Sequence, residues 1–224
     1  MKAESRQAPA SPVSGSFAYV APVAVARDPW KRSLDVVASS LMLAVLSPVF
    51  LAVAVAVKVS SKGPALYKGK RVGLSGQVFD MVKFRSMYLD ADRRLSEVWQ
   101  RGESDAPVFK LKDDPRVTPV GRFIRKYSLD ELPQLLNVLK GEMSLVGPRA
   151  LPTYEVELLP MQYHDRFQVK PGVTCYWQIS GRSNLSFEDR MALDKKYLQH
   201  AGVWTDVKIL AKTPAAVLRG EGAY

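Results

Sequence analysis

"VVASSLMLAVLSPVFLAVAVAV", Val36 to Val57, runs for 22 residues without a charge. As one straight helix it would extend about 33 Å at ~1.5 Å per residue, close to the ~30 Å hydrocarbon thickness of a bilayer, so it reads as a membrane segment. It starts too late and is too long for a cleavable leader, and it follows Arg27, Asp28, Lys31 and Arg32 rather than a short basic start. Pro48 stands near its middle. Proline lacks an N–H and biases the preceding residue, Ser47, away from helical dihedrals, so a break is expected at Ser47-Pro48. The Ser47 hydroxyl is then available to a carbonyl that the break frees. Lys31 and Arg32 precede the segment, and Lys58 and Lys62 follow it. Basic flanks favour the cytoplasmic side, and a central break lets both stay there, which argues for a re-entrant hairpin over one kinked crossing.

The whole 224-residue chain is 47% hydrophobic, enough for one ordinary domain. Thirty-two Lys and Arg against 22 Asp and Glu give +10, which points to an anionic partner: a phosphate-bearing substrate, nucleic acid or an acidic membrane surface. A nucleic-acid-binding protein would account for the charge but not for Val36 to Val57. Cys175 is the sole cysteine, which excludes an internal disulfide, and beside it His164 and His200 supply too few ligands for a Cys/His zinc site. A hard cation held by carboxylates stays open.

Residues 1–29 are rich in Ala, Pro and Ser and lack helical periodicity, so a mobile tail is expected. "ALYKGKRVGLSGQVFDMVKFRSM" suggests a strand pair turning at Gly73 and Gly76. With Val78 to Met87 extended, Phe79, Met81, Lys83 and Arg85 share a face; taken alone, two cations so placed describe a solvated strand edge. "YLDADRRLSEVWQRGESD", with Leu89, Leu95 and Trp99 among charges, suggests a surface helix. Arg122, Arg125 and Lys126 stand at i, i+3 and i+4 and would form one basic stripe on a helix. The C-terminal stretch with Trp204, Lys208, Lys212 and Arg219 fits amphipathic helices, lying either at a membrane interface or in a packed core.

Directly after the basic stripe comes "SLDELPQLLNVLKGEMSLVGPR". Ser128 and Glu131 match a capping box, but Pro133 would then fall where a backbone N–H is needed. With Asp130 as N-cap, Pro133 occupies one of the positions whose N–H has no intrahelical partner. Leu132, Leu135, Leu136 and Leu139 would then form one buried face, and Gly141 would stop the helix. Gly147-Pro148-Arg149 forms a turn that presents a guanidinium, whose fork suits phosphate.

Several long motifs occur in order: "KRSLD", a hydrophobic segment with Ser47-Pro48, "KFRSM", "DDPRVTPVGRFIRKYSLDELPQLLNVLKGEMSLVGPR", "KPGVTCYWQISGR" and a terminal "GAY". In these the chain resembles the bacterial sugar transferases, monotopic polyprenyl-phosphate phosphoglycosyl transferases, from about Lys31 to Tyr224, and most of all the short exopolysaccharide-initiating members. The resemblance implies transfer of a hexose-1-phosphate from a UDP-sugar to undecaprenyl phosphate with release of UMP, at the cytoplasmic face of the bacterial inner membrane. It implies Asp130 as the nucleophile that forms a covalent phosphosugar intermediate, Glu131 as its partner, and Mg²⁺ held by Glu131 and Asp130. A re-entrant membrane helix broken at Ser47-Pro48 is also implied. Lys83, Arg85, Arg122, Arg125, Arg149 and Arg182 are the candidate phosphate contacts, since two anionic substrates must approach an anionic nucleophile.

The fold so expected is α+β and mostly helical. A tail (1–29) leads into a re-entrant membrane helix-break-helix (30–60) and a small cytoplasmic catalytic domain (61–224) with a short strand pair and interfacial amphipathic helices. Two departures from the family pattern, Cys175 in place of Gly and Ala150 in place of Pro, bear on the loop shape near the sugar or acceptor. The hexose, galactose or glucose, is left open, as is oligomeric state. The competing class is a catalytically silent membrane scaffold for polysaccharide assembly, which has no use for adjacent carboxylates beside arginines.

Overall fold

The computed structural model describes residues 20–91, 93–94, 103–105, 108–111, 113–220 and 222. The elements in chain order are α1 (Pro29–Val45), α2 (Ser47–Ser60), β1 (Leu66–Val72), β2 (Val78–Phe84), β3 (Glu103–Asp105), β4 (Val108–Lys110), α3 (Pro119–Lys126), α4 (Gln134–Lys140), β5 (Ser144–Val146), β6 (Leu151–Pro152), α5 (Thr153–Glu157), β7 (Gly172–Thr174), α6 (Tyr176–Ser180), α7 (Phe187–His200) and α8 (Val203–Arg219). The fold is mixed and mostly helical. β1 pairs antiparallel with both β2 and β6, β3 with β4 antiparallel, and β5 with β7 parallel. The tail expected over residues 1–19 and the surface helix expected around Leu95 and Trp99 lie outside the described residues. Residues 20–28 do not hang free: the Val23 N–H donates to the Gln168 carbonyl at 3.1 Å, and Val20, Val23 and Val25 pack against core clusters.

The break forms where the sequence places it. α1 and α2 meet at Leu46 at 63°, with Pro48 in the first turn of α2, where its missing N–H costs nothing. Ser47 Oγ donates to the Ala44 carbonyl at 2.8 Å, covering an acceptor at the bend. Among the described residues no single helix is long and apolar enough to cross a membrane; the bent pair passes that test only together.

α1 is inside-out. Lys31, Asp35 and Ser39, at i, i+4 and i+8, are buried, while Val37, Leu41 and Val45 point outward at 67, 63 and 67% exposure. The polar stripe meets made-to-measure partners. Lys31 Nζ pairs with Asp206 of α8 and donates to Tyr197 Oη and the Val146 carbonyl at 3.2 and 3.1 Å. Asp35 Oδ1 accepts from Ser144 Oγ and the Leu145 N–H at 3.0 and 2.9 Å. Arg32 donates to the Val138 and Leu139 carbonyls near the end of α4, a favourable place for a cation. Lys31 and Arg32 are thus bound inside the fold rather than standing as free basic flanks, so the topological argument from charge keeps only Lys58 and Lys62.

α2 buries Val53 and Val57 against Phe84 and Ile124, and Phe50 meets the Phe84 ring edge-on at 5.5 Å. In β1–β2 the register opposes Tyr67 to Lys83, Gly69 to Met81 and Arg71 to Phe79, which puts Arg71 and Lys83 on one face. α4 differs from the expected leucine face. Gln134, Leu135, Asn137 and Val138 are buried and Leu136 is exposed, because Asn137 stitches the helix to β2. Its Nδ2 donates to the Asp80 carbonyl and its Oδ1 accepts from the Val82 N–H at 2.7 and 3.0 Å. Gly141, at φ +84°, ends the helix as expected.

Candidate active site

Asp130 is not the cap of a helix. Leu129–Glu131 form a single 3₁₀ turn entered through Ser128 in the left-handed region (φ +51°), and α4 starts only at Gln134, after Pro133. Proline cannot donate inside a continuing helix, so the chain makes two short pieces instead of one long one. The 3₁₀ turn packs against α3 and β2, and Asp130 is only 7% exposed.

The opposite wall comes from two motifs whose glycines touch. A Cβ on Gly147 would lie 2.3 Å from the Lys170 carbonyl oxygen, and one on Gly172 would lie 2.1 Å from Gly147 N. Only glycine permits that approach, and it lets Gly172 N–H donate to the Pro148 carbonyl at 2.9 Å. "VGPR" and "KPGVT" are thereby locked side by side, and Arg149 projects to Glu131, with Nη2 to Oε1 2.5 Å. Arg149 also lies over the Trp177 ring at 5.7 Å, and Gln178 Nε2 donates to the other Glu131 oxygen at 3.2 Å.

The two acids differ sharply. Burial pushes the Asp130 carboxyl up to about 6, the adjacent Glu131 charge adds to the rise, and Lys83, Arg125 and Arg149 pull against it. Burial also raises Glu131, but the Arg149 guanidinium, helped by Lys83 and Arg182, outweighs it and holds that carboxyl below its ordinary value. Burial lowers the Lys83 ammonium to about 8, Arg71 adds to the fall, and Asp130 opposes it. Glu131 is therefore a fixed anion locked by donors, while the Asp130 side chain makes no hydrogen bond among the described residues.

Lys83, Arg125 and Arg149 line one cavity of about 260 Å³. Arg182 comes from the other side, donating to Ser128 Oγ at 3.2 Å from a left-handed backbone of its own (φ +53°). Among the described residues, two of the three left-handed non-glycine residues thus meet beside Asp130, and strain of this kind concentrates at working sites. Arg85 is not brought here: buried, it donates to the Ser61 and Lys62 carbonyls and closes the end of α2. β2 ends at Phe84, so the face shared by Phe79, Met81 and Lys83 does not reach it. Arg122 is exposed on α3 and lines neither this cavity nor the one beyond Glu131.

Arg71, Glu155 and Trp177, which the motifs did not single out, also line the basic cavity. Burial raises Glu155 to about 7 against the pull of Arg71, Arg149 and Arg166. Arg71 was legible in principle, since a turn at Gly73–Gly76 puts it opposite Phe79 on the Lys83 face. Among the described residues no group of three or more His, Cys, Asp or Glu side chains is placed to hold a metal. Asp130 and Glu131 still fit Mg²⁺, which takes one or two carboxylates and completes its shell with water and substrate oxygens, because each carboxylate oxygen keeps a second lone pair.

A buried carboxylate faced by cations, near a cavity those cations line, is an arrangement suited to phosphate esters. The chain belongs to the bacterial sugar transferase family, which it matches over residues 26–220. It is 44% identical over 198 residues to the exopolysaccharide production protein ExoY of Sinorhizobium fredii, covering 87% of this chain and 88% of that protein. It is 44% identical over 199 residues to the undecaprenyl-phosphate galactose phosphotransferase of Salmonella typhimurium, covering 87% of this chain but 41% of the relative. It is 41% identical over 209 residues to the UDP-glucose:undecaprenyl-phosphate glucose-1-phosphate transferase of Caulobacter vibrioides, covering 89% and 74%. The chain thus spans about two fifths of the Salmonella relative and most of the Sinorhizobium one.

Proposed function

We propose that this protein transfers a hexose-1-phosphate from a UDP-sugar to undecaprenyl phosphate and thereby initiates exopolysaccharide or related glycan synthesis. The observation that carries the reading is the asymmetry of the dyad: Glu131 is tied on both oxygens, while its buried neighbour Asp130 has no hydrogen-bond partner among the described residues and faces Lys83, Arg125 and Arg149. An Asp130 oxygen attacks the phosphorus that bears the sugar. The bond from that phosphorus to the bridging oxygen breaks, and UMP leaves. An oxygen of the lipid phosphate then attacks the same phosphorus, and Asp130 is released as carboxylate.

Arg149 and Lys83 offset the charge that builds on the non-bridging oxygens. Arg71, Trp177 and Glu155 stand in the same cavity, where the UDP-hexose would lie. Asp130 and Glu131 would hold Mg²⁺, which would supply further neutralisation of the phosphate charge. The relatives named for galactose and glucose agree on the phosphate chemistry and differ on the sugar.

The outward apolar stripe of α1 and the bend at Ser47-Pro48 support residues 30–60 as a re-entrant membrane hairpin, with residues 61–224 as the catalytic part on the cytoplasmic side of a bacterial inner membrane. UMP release from a panel of UDP-sugars with undecaprenyl phosphate tests the activity and the donor together; no release with any hexose donor overturns the reading. Cysteines at positions 29 and 62 in a Cys175→Ser background test the hairpin, since labelling from opposite sides would establish a crossing.

A further inference from the structure

The two donors that lock Glu131 leave neighbouring strands. β5 and β7 run parallel with Val146 opposite Thr174, and the Gly147 N–H donates to the Thr174 carbonyl at 3.2 Å. Arg149 follows β5 and Gln178, on α6, follows β7, and each reaches one oxygen of the Glu131 carboxylate, at 2.5 and 3.2 Å. The Gln178 side chain has a second contact: its Oε1 accepts from the Cys175 thiol at 3.3 Å. Cys175 stands immediately before α6 and is 2% exposed. Chemistry fixes the amide this way round. Glu131, held as an anion by Arg149, can only accept, so the amide NH₂ faces it and the amide oxygen faces the sulfur. The sulfur must then donate, and burial pushes the Cys175 thiol up, so it keeps its proton. Glycine, the residue of the family pattern at this position, has no side chain to hold that oxygen.

We propose that Gln178 is a positioning residue of the dyad, and that the Cys175 thiol orients its amide so that a second donor faces Glu131. Neither side chain needs to touch substrate. Both act through Glu131, keeping its carboxylate in one orientation beside Asp130 and leaving Asp130 as the acid that is free to meet phosphorus. The inference rests on the transfer reaction proposed above.

Kinetics and one spectroscopic band test it. Gln178→Met keeps the length of the side chain but removes the donor, so kcat should fall about tenfold while KM for the UDP-sugar stays within about twofold. Cys175→Ala should lower kcat by about threefold, less because a thiol is a weak donor, and Cys175→Ser, which keeps a donor, should restore most of the loss. In the Gln178→Met background Cys175→Ala should have no further effect; additive losses would mean that the thiol only fills space, and would overturn the relay. Gln178→Glu sets an anion against Glu131, so the acidic limb of the pH profile should move to higher pH. A limb that stays in place overturns the coupling of Gln178 to the dyad. Cys175 is the sole cysteine, so the infrared S–H stretch reports this hydrogen bond alone and needs no turnover. It should lie below that of a free thiol and rise in Gln178→Met; an unchanged band overturns the thiol link. If the unsubstituted protein releases no UMP with any hexose donor, the transfer reaction fails, and the S–H band still decides the thiol link.

Discussion

Two clusters of cations do different work in this protein. Beneath α1, Lys31 and Arg32 are bound by Asp206, Tyr197 and backbone carbonyls, and Arg85 closes the end of α2. Near the dyad, Lys83, Arg125 and Arg149 act on the Asp130 carboxyl and line one cavity. Lys83 and Arg85 are only two residues apart in sequence, yet they serve opposite clusters because the strand ends between them. A cation bound by protein carbonyls, a carboxylate or a hydroxyl holds an element in place; one beside an unpartnered buried acid can meet a substrate.

The difference can be broken at its extremes. Asp130→Asn keeps the shape but removes the attacking oxygen's charge, so transfer should fall more than about 10³-fold in a protein that remains folded and membrane-bound. Robust UMP release in that variant would remove Asp130 from the chemistry. In the other cluster, Lys31→Met strands Asp206, which is 1% exposed, and breaking such a buried pair costs about 3–5 kcal/mol. Thermal unfolding in detergent should register that loss, while Lys58→Met, at the far end of α2, should stay within about 0.5 kcal/mol of the parent. Equal effects would mean that the α1 pair is not an anchor.

Smaller effects sharpen the site cluster from within. Arg149→Ala frees Glu131 and removes a donor aimed at the reacting phosphate, for an expected loss in kcat/KM of about 10²-fold. Arg149→Lys should recover only part of it, since the ammonium lacks the fork. The pH profile is expected to be bell-shaped. Asp130, with its pKa raised to about 6, is protonated and inactive below that value, and Lys83, lowered to about 8, loses its charge above it. Lys83→Arg should carry the alkaline limb to higher pH, because a guanidinium stays charged; a limb that does not move assigns it to another group.

Much of the fold was legible where chain chemistry acts locally. Pro48 set the bend, Gly141 ended a helix, and the glycine turn set the β1–β2 register that faces Arg71 and Lys83 together. Reading failed where a distant partner decided. Nothing local says that Asn137 displaces Leu136 from the buried face, because the reason lies in the backbone of β2 at Asp80 and Val82. Capping rules favoured Asp130 as a helix N-cap, but Pro133 splits the segment and leaves the acid in a 3₁₀ turn. Lys31 and Arg32 read as membrane flanks because Asp206 lies 175 residues from Lys31.

By itself the sequence determined the apolar bent segment, the adjacent acids and the basic motifs, since each is a matter of residue type and short spacing. Only the tertiary structure decided which cations are anchors and which face the dyad, and that Glu131 rather than Asp130 is locked. Those outcomes depend on side chains meeting across the fold, through the glycine contact of two motifs and the inside-out stripe of α1, at distances that chain spacing does not encode.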